Sequence, residues 1–480
     1  MISKEVRAKY KATIGIECHV QLKTKSKLFS AVGNDAREAA PNTLVSHIDF
    51  GLPGALPVLN KEAIRLASKA AFALNTVPQP YSKFDRKHYF YPDLPMGYQI
   101  SQYDEPIVIG GSVSINVEGE TKTIGITRAH LEADAGKSTH HAGTDYSLVD
   151  LNRAGTPLLE IVSEPDMHSS AEAKAYAKEL YLLMRYADVS DANLYYGNMR
   201  FDVNVSVSKT DELGTRSETK NLNSFRSVEK AVDYEIHRQI EELEKGRRIV
   251  QETRGWDDAK QKTFSQRSKE NADDYRYMPD PDLPPMVLSK EYIAKIKSEM
   301  SELPNYYREK FNKIKIDEKV IEDIIAEPET AKLIDRILAK SNEEHARRVA
   351  FWMMRPANDE TDDPDSGIKI EDDQLIKLSE LVSDNKLSST AAKDVLSEML
   401  AKGGDPQEIA STKNLLQVSD EGEIAKIVEQ VISDNAQAAR DVKNGEMKAI
   451  GFLVGQVMKQ SKGKANPSLA QMLIKKQLGL

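Results

Sequence analysis

The segment Ile14-Gly-Ile-Glu-Cys-His-Val-Gln-Leu22 sets a carboxylate and an imidazole two residues apart. In a strand, side chains alternate between faces. Glu17, His19 and Gln21 then share one side, and Ile14, Ile16, Cys18, Val20 and Leu22 share the other. Three further segments have the same make-up. Arg128, His130, Glu132 and Asp134 are in phase with one another. Glu160 interrupts the apolar run Pro157-Leu-Leu-Glu-Ile-Val162, and Arg200, Asp202, Asn204 and Ser206 alternate with Phe201, Val203, Val205 and Val207. A carboxylate in an apolar run is costly to bury unless it is paired or bound to a metal. Each strand alone reads as the wet side of an ordinary sheet; it is their joint occurrence that points to a site. Clustered carboxylates with a histidine suit Mg²⁺, a hard ion that takes oxygen ligands and keeps waters and nucleotide phosphates in its shell. Phosphoryl transfer needs such a metal and cationic clamps, with little covalent chemistry from the protein. Arg128, Arg153 and Arg200 are candidates for the clamp, and Asp202 and Asn204 join the site from the strand pattern.

The elements that must position these residues follow from periodicity. Alternation predicts strands over 14–22, 112–117, 123–131 and 201–207, and helical spacing predicts helices over 61–74, 171–186 and 224–245, the last capped by Asn223 or Ser224. The proline-rich stretch 278–285 reads as a stiff extended connector closing a β-rich region. Charged helices follow at about 289–300, 305–315, 317–326, 330–340 and 341–354. The acidic run 359–373 reads as an exposed linker, and Ala401-Lys-Gly-Gly-Asp-Pro406 as a joint before a last helical region.

Composition narrows the classes. The 480 residues carry 66 Lys+Arg against 75 Asp+Glu, a net charge of −9, with a single cysteine. A disulfide framework or multi-cysteine zinc ribbon within the chain is excluded, and no apolar run is long enough to span a membrane. The start of the chain lacks the apolar core of a signal peptide, so the cytosol is the expected compartment. Residues 441–480 hold seven lysines and two acids. They form either a solvated helix face or a patch that meets a phosphate backbone.

Several motifs do not complete. Ala135-Gly-Lys-Ser138 resembles the end of a phosphate-binding Walker loop, but Leu131 stands where the first glycine is required. It reads instead as a turn whose Gly136 and Lys137 are placed to touch phosphate. Cys18 reads as a small buried hydrophobe. The chain has no H-E-x-x-H motif, no Gly/Ser-rich amidase nucleophile segment and no cysteine glutaminase site.

Residues 15–29, 82–93, 98–103, 130–137 (His130-Leu-Glu-Ala-Asp-Ala-Gly-Lys137), 149–160 and 273–282 resemble the GatB/GatE family, the B subunits of aspartyl/glutamyl-tRNA(Asn/Gln) amidotransferases. So do 451–459 (Gly451-Phe-Leu-Val-Gly-Gln-Val-Met-Lys459) and Ala465-Asn-Pro467 near the end, and the likeness runs from about residue 10 onward. It implies an α+β fold: a β-rich, kinase-like cradle over 1–290, a helical domain over 291–404, and an all-helical YqeY-like tail over 405–480 that contacts tRNA. It implies a heterotrimer with an amidase partner, which frees ammonia from glutamine, and a small third partner. The nucleic-acid partner is tRNA(Gln) or tRNA(Asn), and no membrane is involved. The implied reaction uses ATP and Mg²⁺ to phosphorylate the side-chain carboxylate of Glu-tRNA(Gln) or Asp-tRNA(Asn); ammonia then displaces phosphate. Glu17, His19, Glu132 and Glu160 match the family's catalytic metal-centre positions, with Asp202 added as a ligand. Arg153, Arg200 and Asn204 are assigned to phosphate, Lys87 to the ammonia route or else to an ordinary surface, and Lys459, Lys462 and Lys464 to tRNA. Where many relatives carry a cysteine pair for zinc, this chain has Ser46-His-Ile-Asp49, so no zinc is expected.

Overall fold

The computed structural model describes residues 2–141, 143–268, 272–354, 370–417, 421–446, 448–461 and 465–480. The chain divides into two compact units, Met1–Pro304 and Asn305–Leu480.

Seven strands and three helices of the first unit position the polar residues singled out above. The strands are β1 (Lys11–Gln21), β2 (Asp85–His88), β3 (Tyr98–Ser101), β4 (Glu120–Ala133), β5 (Pro157–Ser163), β6 (Met199–Ser208) and β7 (Ser217–Leu222). The helices are α1 (Lys61–Ala73), α2 (Ser170–Tyr186) and α3 (Phe225–Glu244). Five of the strands belong to a nine-stranded mixed sheet, in the order β7-β6-β1-β5-β4. Glu252–Asp257 and Lys262–Ser268 extend it beyond β7, and Val108–Ile109 and Ser112–Val117 pair with β4 at the other side. All of these pairings are antiparallel except that of β7 with Glu252–Asp257.

The alternation expected for β1 is present from one end to the other. Ala12, Ile14, Ile16, Cys18 and Val20 are buried, while Thr13, Gly15, Glu17, His19 and Gln21 are partly exposed. The buried side joins a core that includes Val203 and Val205 of β6 and Val228, Val232 and Ile236 of α3. α2 and α3 pack on each other and α3 lies on β6, so the helices take the apolar face and leave the polar face free. Each helix starts on a side-chain cap: Asn60 accepts from the Glu62 N–H, Ser169 from Glu172 and Ser224 from Ser227. These caps satisfy backbone donors that have no partner inside the helix.

Two sequence expectations change. The stretch 278–285 is not a free connector: Met278–Pro279 pairs with β2, and Met286–Val287 pairs with Tyr81–Ser82. Arg86 of β2 holds Asp280 at 2.9 Å and Asp282 at 2.9 Å, which straps the prolines onto the sheet. Residues 359–369 of the expected linker lie outside the described residues, but its end is ordered. Asp372 opens the helix Asp372–Ser383 and binds Arg336 at 3.1 Å and Lys340 at 3.0 Å. Asp372 is thus buried and paired rather than part of an exposed linker. The joint at 401–406 is a helix break, with Gly403 and Gly404 at positive φ and Asp405 capping Pro406–Thr412.

The second unit is helical. Its last four helices, Glu421–Asp434, Ala436–Lys443, Lys448–Gln460 and Pro467–Leu478, close round Val428, Val431, Leu453, Val457 and Ile474.

Candidate active site

Register decides which polar residues meet. Across the sheet, His19 of β1 stands opposite Arg200 of β6 on one side and Glu160 of β5 on the other, and Glu160 stands opposite His130 of β4. Two residues along β1 in one direction, Glu17 faces Asp202; two residues in the other direction, Gln21 faces Leu158, which faces Glu132. Residues directly opposite lie on the same face of a sheet, so these side chains converge.

They converge as two groups. His19 Nε2 lies 3.6 Å from Glu132 Oε1 and 3.6 Å from Glu160 Oε2. His130, in phase with Glu132 but absent from the expected site, approaches Glu160 Oε2 to 3.3 Å with its Nε2. The second group is Glu17, Asp202 and Glu218, whose ligand atoms all lie within 4.8 Å of one another. The five expected metal-centre residues are therefore not gathered at one point: His19, Glu132 and Glu160 form one candidate centre, and Glu17 and Asp202 belong to the other.

A β-bulge builds the second group. Phe201 pairs with Leu222 and Val203 with Thr219, so β7 carries one extra residue opposite Asp202. Asn221 takes the left-handed conformation there, φ 60°. The bulge turns two donors onto Asp202: the Asn221 N–H at 2.7 Å and Lys220 Nζ at 3.0 Å. Lys220 also lies 3.3 Å from Glu218. Lys220 thus pairs with two of the three carboxylates, while burial and then the neighbouring charges of Glu160 and Glu218 raise the carboxyl of Glu17 above its usual range. Glu218 and Lys220 are absent from the sequence-derived set. Their shared phase on a short strand was the available signal.

The other expected residues fall as follows. Arg153 and Arg200 both bind Asp134, Arg200 at 3.5 Å. Asn204 donates to Glu17 Oε1 at 3.0 Å, which makes it a support for a carboxylate. Its Oδ1 is buried with no hydrogen-bond partner among the described residues. Lys87 is no ordinary surface lysine: β2 and β3 carry it over the site, with Nζ 4.8 Å from the centre of the Tyr275 ring. Arg128 donates to the Tyr103 carbonyl at 2.9 Å, away from the first group. Gly136 is not a phosphate donor, because its N–H is taken by the Asp93 carbonyl at 2.8 Å. A Cβ there would meet the Asp150 carbonyl oxygen at 2.8 Å, so glycine serves packing. Cys18 is fully buried in the core, where burial pushes its thiol well above the ordinary range. Lys459 is exposed near the end of Lys448–Gln460, and Lys462 and Lys464 lie outside the described residues.

The electrostatics follow the packing. Burial, and then the neighbouring Glu160 charge, raise the carboxyl of Glu132 above its usual range. Burial would raise Glu160 too, but His130, His19 and Lys87 outweigh it and hold Glu160 well below that range. Asp202 is likewise held down by Lys220, His19 and the Asn221 N–H against its burial. Lys87 and Lys220 stay charged despite burial because Glu132 and Glu160 face the first, and Asp202 and Glu218 the second.

Two cavities open on this face. One, of about 200 Å³, is lined by the first group with Lys87, Arg200, Asp202 and Lys220. The other, of about 280 Å³, runs from Glu17 and Asn204 past Ser206 and Thr127 to Gly214 and Arg216. The donor chemistry fits divalent cations: an all-oxygen group of three carboxylates beside the Asn204 oxygen, which has no partner among the described residues, and a neighbouring group of two carboxylates and an imidazole.

Residues 12–294 match the GatB/GatE catalytic domain, and residues 332–478 match the GatB domain. The chain belongs to the GatB/GatE family. Among its curated relatives, the B subunit of the aspartyl/glutamyl-tRNA(Asn/Gln) amidotransferase from Caldanaerobacter subterraneus subsp. tengcongensis is 47% identical over 98% of this chain and 99% of its own length. The proteins of the same name from Carboxydothermus hydrogenoformans and Bdellovibrio bacteriovorus are 44% and 45% identical, each over 98% of this chain and 99% of their own. The family and these relatives place the chain in the amidotransferases, which are carbon–nitrogen ligases.

Proposed function

We propose that this chain is the phosphorylating component of a tRNA-dependent amidotransferase, acting on the side-chain carboxylate of Glu-tRNA(Gln) or Asp-tRNA(Asn). The observation that carries the reading is the pair of adjoining carboxylate groups on one sheet face, fringed by Lys87, Arg200 and Lys220 and opening into two cavities. A carboxylate is a poor acceptor for ammonia, and phosphorylation supplies the leaving group. An oxygen of the substrate carboxylate bonds to the γ-phosphorus of ATP as the bond to the β–γ bridging oxygen breaks, releasing ADP. Ammonia then adds to the acyl carbon, inorganic phosphate leaves, and the nitrogen sheds a proton.

Each residue has work in this scheme. Glu17, Asp202 and Glu218 would hold one Mg²⁺, and His19, Glu132 and Glu160 a second. Bound there, the ions supply charge neutralisation for the phosphates. Arg200 and Lys220 stabilise charge on the transferring phosphoryl group, with Arg153 holding Asp134 and so the position of Arg200. Asn204 keeps Glu17 turned toward its group. Lys87, ringed by tyrosines and facing Glu132, lines the way by which ammonia from the amidase partner reaches the acyl phosphate. The small third partner completes the heterotrimer. The kinase-like cradle of this reading rests on that chemistry. Its substrates are cytoplasmic, and so is its place of work.

The test is ADP release by the assembled enzyme with ATP and Mg²⁺, with and without misacylated tRNA. Release that depends on the tRNA is expected; its absence refutes the reading. Glu218→Gln is expected to raise the Mg²⁺ concentration for half-maximal rate by at least about tenfold, since it removes one charged oxygen ligand. An unchanged Mg²⁺ requirement would remove the second group from the mechanism. For the tail, Lys459→Ala should weaken tRNA binding and lower the slope of log K against log salt by about one. An unaltered slope would assign Lys459 to a solvated helix face.

A further inference from the structure

The strand that carries Asn204, Asp202 and Arg200 begins at Met199, and the turn before it holds two tyrosines. Tyr195 is 83% exposed and Tyr196 47%. Their rings stand edge to face, 5.1 Å apart. The Arg37 guanidinium lies 5.6 Å over the ring of Tyr196, held by Asp35 at 2.8 Å and 2.6 Å. Large aromatic rings left adjacent in water are what a binding surface presents.

The turn is fixed to the site. The Tyr196 N–H donates to Asn193 Oδ1 at 3.1 Å, and the Asn198 N–H to the Asn193 carbonyl at 2.9 Å. Asn198 clasps Gln21 of β1 from both sides, through its side chain at 3.0 Å and its carbonyl at 2.7 Å. Gln21 is the next residue on the polar face after His19. The face therefore reads in one direction. The 280 Å³ cavity beside Asn204 comes first, then Glu17 and Asp202, then His19, Arg200 and Glu160, then Asn198, Gln21 and Glu132, and last the tyrosine turn. From Tyr196 to Arg200 the chain spans at most about 14 Å.

In-line phosphoryl transfer puts donor and acceptor on opposite sides of the moving phosphorus. On the proposal that the nucleotide takes the 280 Å³ cavity beside Asn204, the acceptor carboxylate enters from the other end, where the tyrosines stand. The amino acid that bears it is esterified, through its α-carboxyl, to the end of a single-stranded polynucleotide. Such an end offers flat base faces and phosphates, which aromatic rings and an adjacent guanidinium accept without reading sequence.

We propose that Tyr195, Tyr196 and Arg37 form a stacking platform for the terminal bases of the aminoacylated RNA strand, setting the distance from the last base to the carboxylate groups. This rests on the reading of the substrate as a charged tRNA.

The test uses the assembled enzyme and a tRNA whose 3′-terminal adenosine is replaced by 2-aminopurine riboside, a base whose fluorescence falls when it stacks. Quenching is expected with the parent enzyme and with Y195F/Y196F. It is expected to vanish in Y195A/Y196A and in Y195L/Y196L, which keeps apolar bulk without a ring. The KM for misacylated tRNA should rise about tenfold in the last two, with thermal midpoints unchanged in all three. Full quenching and an unchanged KM in Y195A/Y196A would overturn the platform. So would shielding of the two tyrosines by the partner proteins alone, which would make the pair an assembly interface. Parent enzyme that quenches the probe yet forms no ADP with charged tRNA would instead sink the phosphorylation reading and leave the platform standing.

Discussion

Glu160→Gln is expected to lower kcat/KM for tRNA-dependent ADP formation by at least about 10³-fold, roughly 4 kcal/mol of transition-state stabilisation. The reason is the position of Glu160 in the sheet. His19 and His130 flank it on the neighbouring strands, at 3.6 Å and 3.3 Å, and with Lys87 they keep its carboxyl ionised despite burial. It is thus the carboxylate of its group that the surroundings hold charged, whereas Glu132 is pushed the other way. A glutamine fills the same space but offers one neutral oxygen, so the fold is preserved and cation binding is lost. The measurement is steady-state ADP release from the assembled enzyme across a Mg²⁺ titration. Activity at saturating Mg²⁺ within a few-fold of the parent would mean that the chain acts as a tRNA-binding scaffold and that its carboxylates do no chemistry.

The sequence made the members of this site visible but not their partnership. Alternation in β1 put Glu17 and His19 on the polar face, and the structure agrees residue by residue. Nothing in that pattern says that β5 pairs with β1 on one side and β6 on the other. Register is a long-range property, set by how the apolar faces seat on the helices. It splits the carboxylates into two groups where strand phase alone suggested one. His130 shows the same limit: it shares the phase of Glu132, but only its pairing with Glu160 gives it a role. Glu218 and Lys220 were harder still. β7 is six residues long, half of them acidic, basic or amide. The prolines of 278–285 misled for a different reason. Their stiffness was legible, but the Arg86 clamp that ties Asp280 and Asp282 to β2 lies almost two hundred residues away.

Glu235→Gln is expected to cost the first unit about 3–5 kcal/mol, because it strips the buried charge that pairs with Arg238 and Arg254, of which Arg254 keeps a second partner in Glu252. Glu235 on α3 is fully buried. Its carboxylate accepts from Ser217 at 2.6 Å and from Arg238 at 2.8 and 3.0 Å, lies 3.0 Å from Arg254 Nε, and is also bonded to Thr263. Burial would raise its pKa, but the bonds from Arg238, Ser217 and Thr263 prevail and hold it below the usual range. The sign follows. The folded carboxyl binds its proton less readily than the unfolded one, whose pKa is about 4.3. The stabilisation is present above that value and fades as pH falls toward the folded pKa. The glutamine variant loses both the stability and this part of its acid dependence, so parent and variant should converge in strongly acidic solution. Calorimetric midpoints of the two proteins between about pH 3 and 7 make the comparison. The consequence reaches the site, because Ser217, held by Glu235, is the residue before Glu218, and Gln239 of the same helix secures Ser217 again at 2.9 Å. The variant should therefore need more Mg²⁺ as well as melting earlier. A loss below about 1 kcal/mol would show that water reaches the network and screens it, and would sever the link drawn between the packing of α3 and the second carboxylate group.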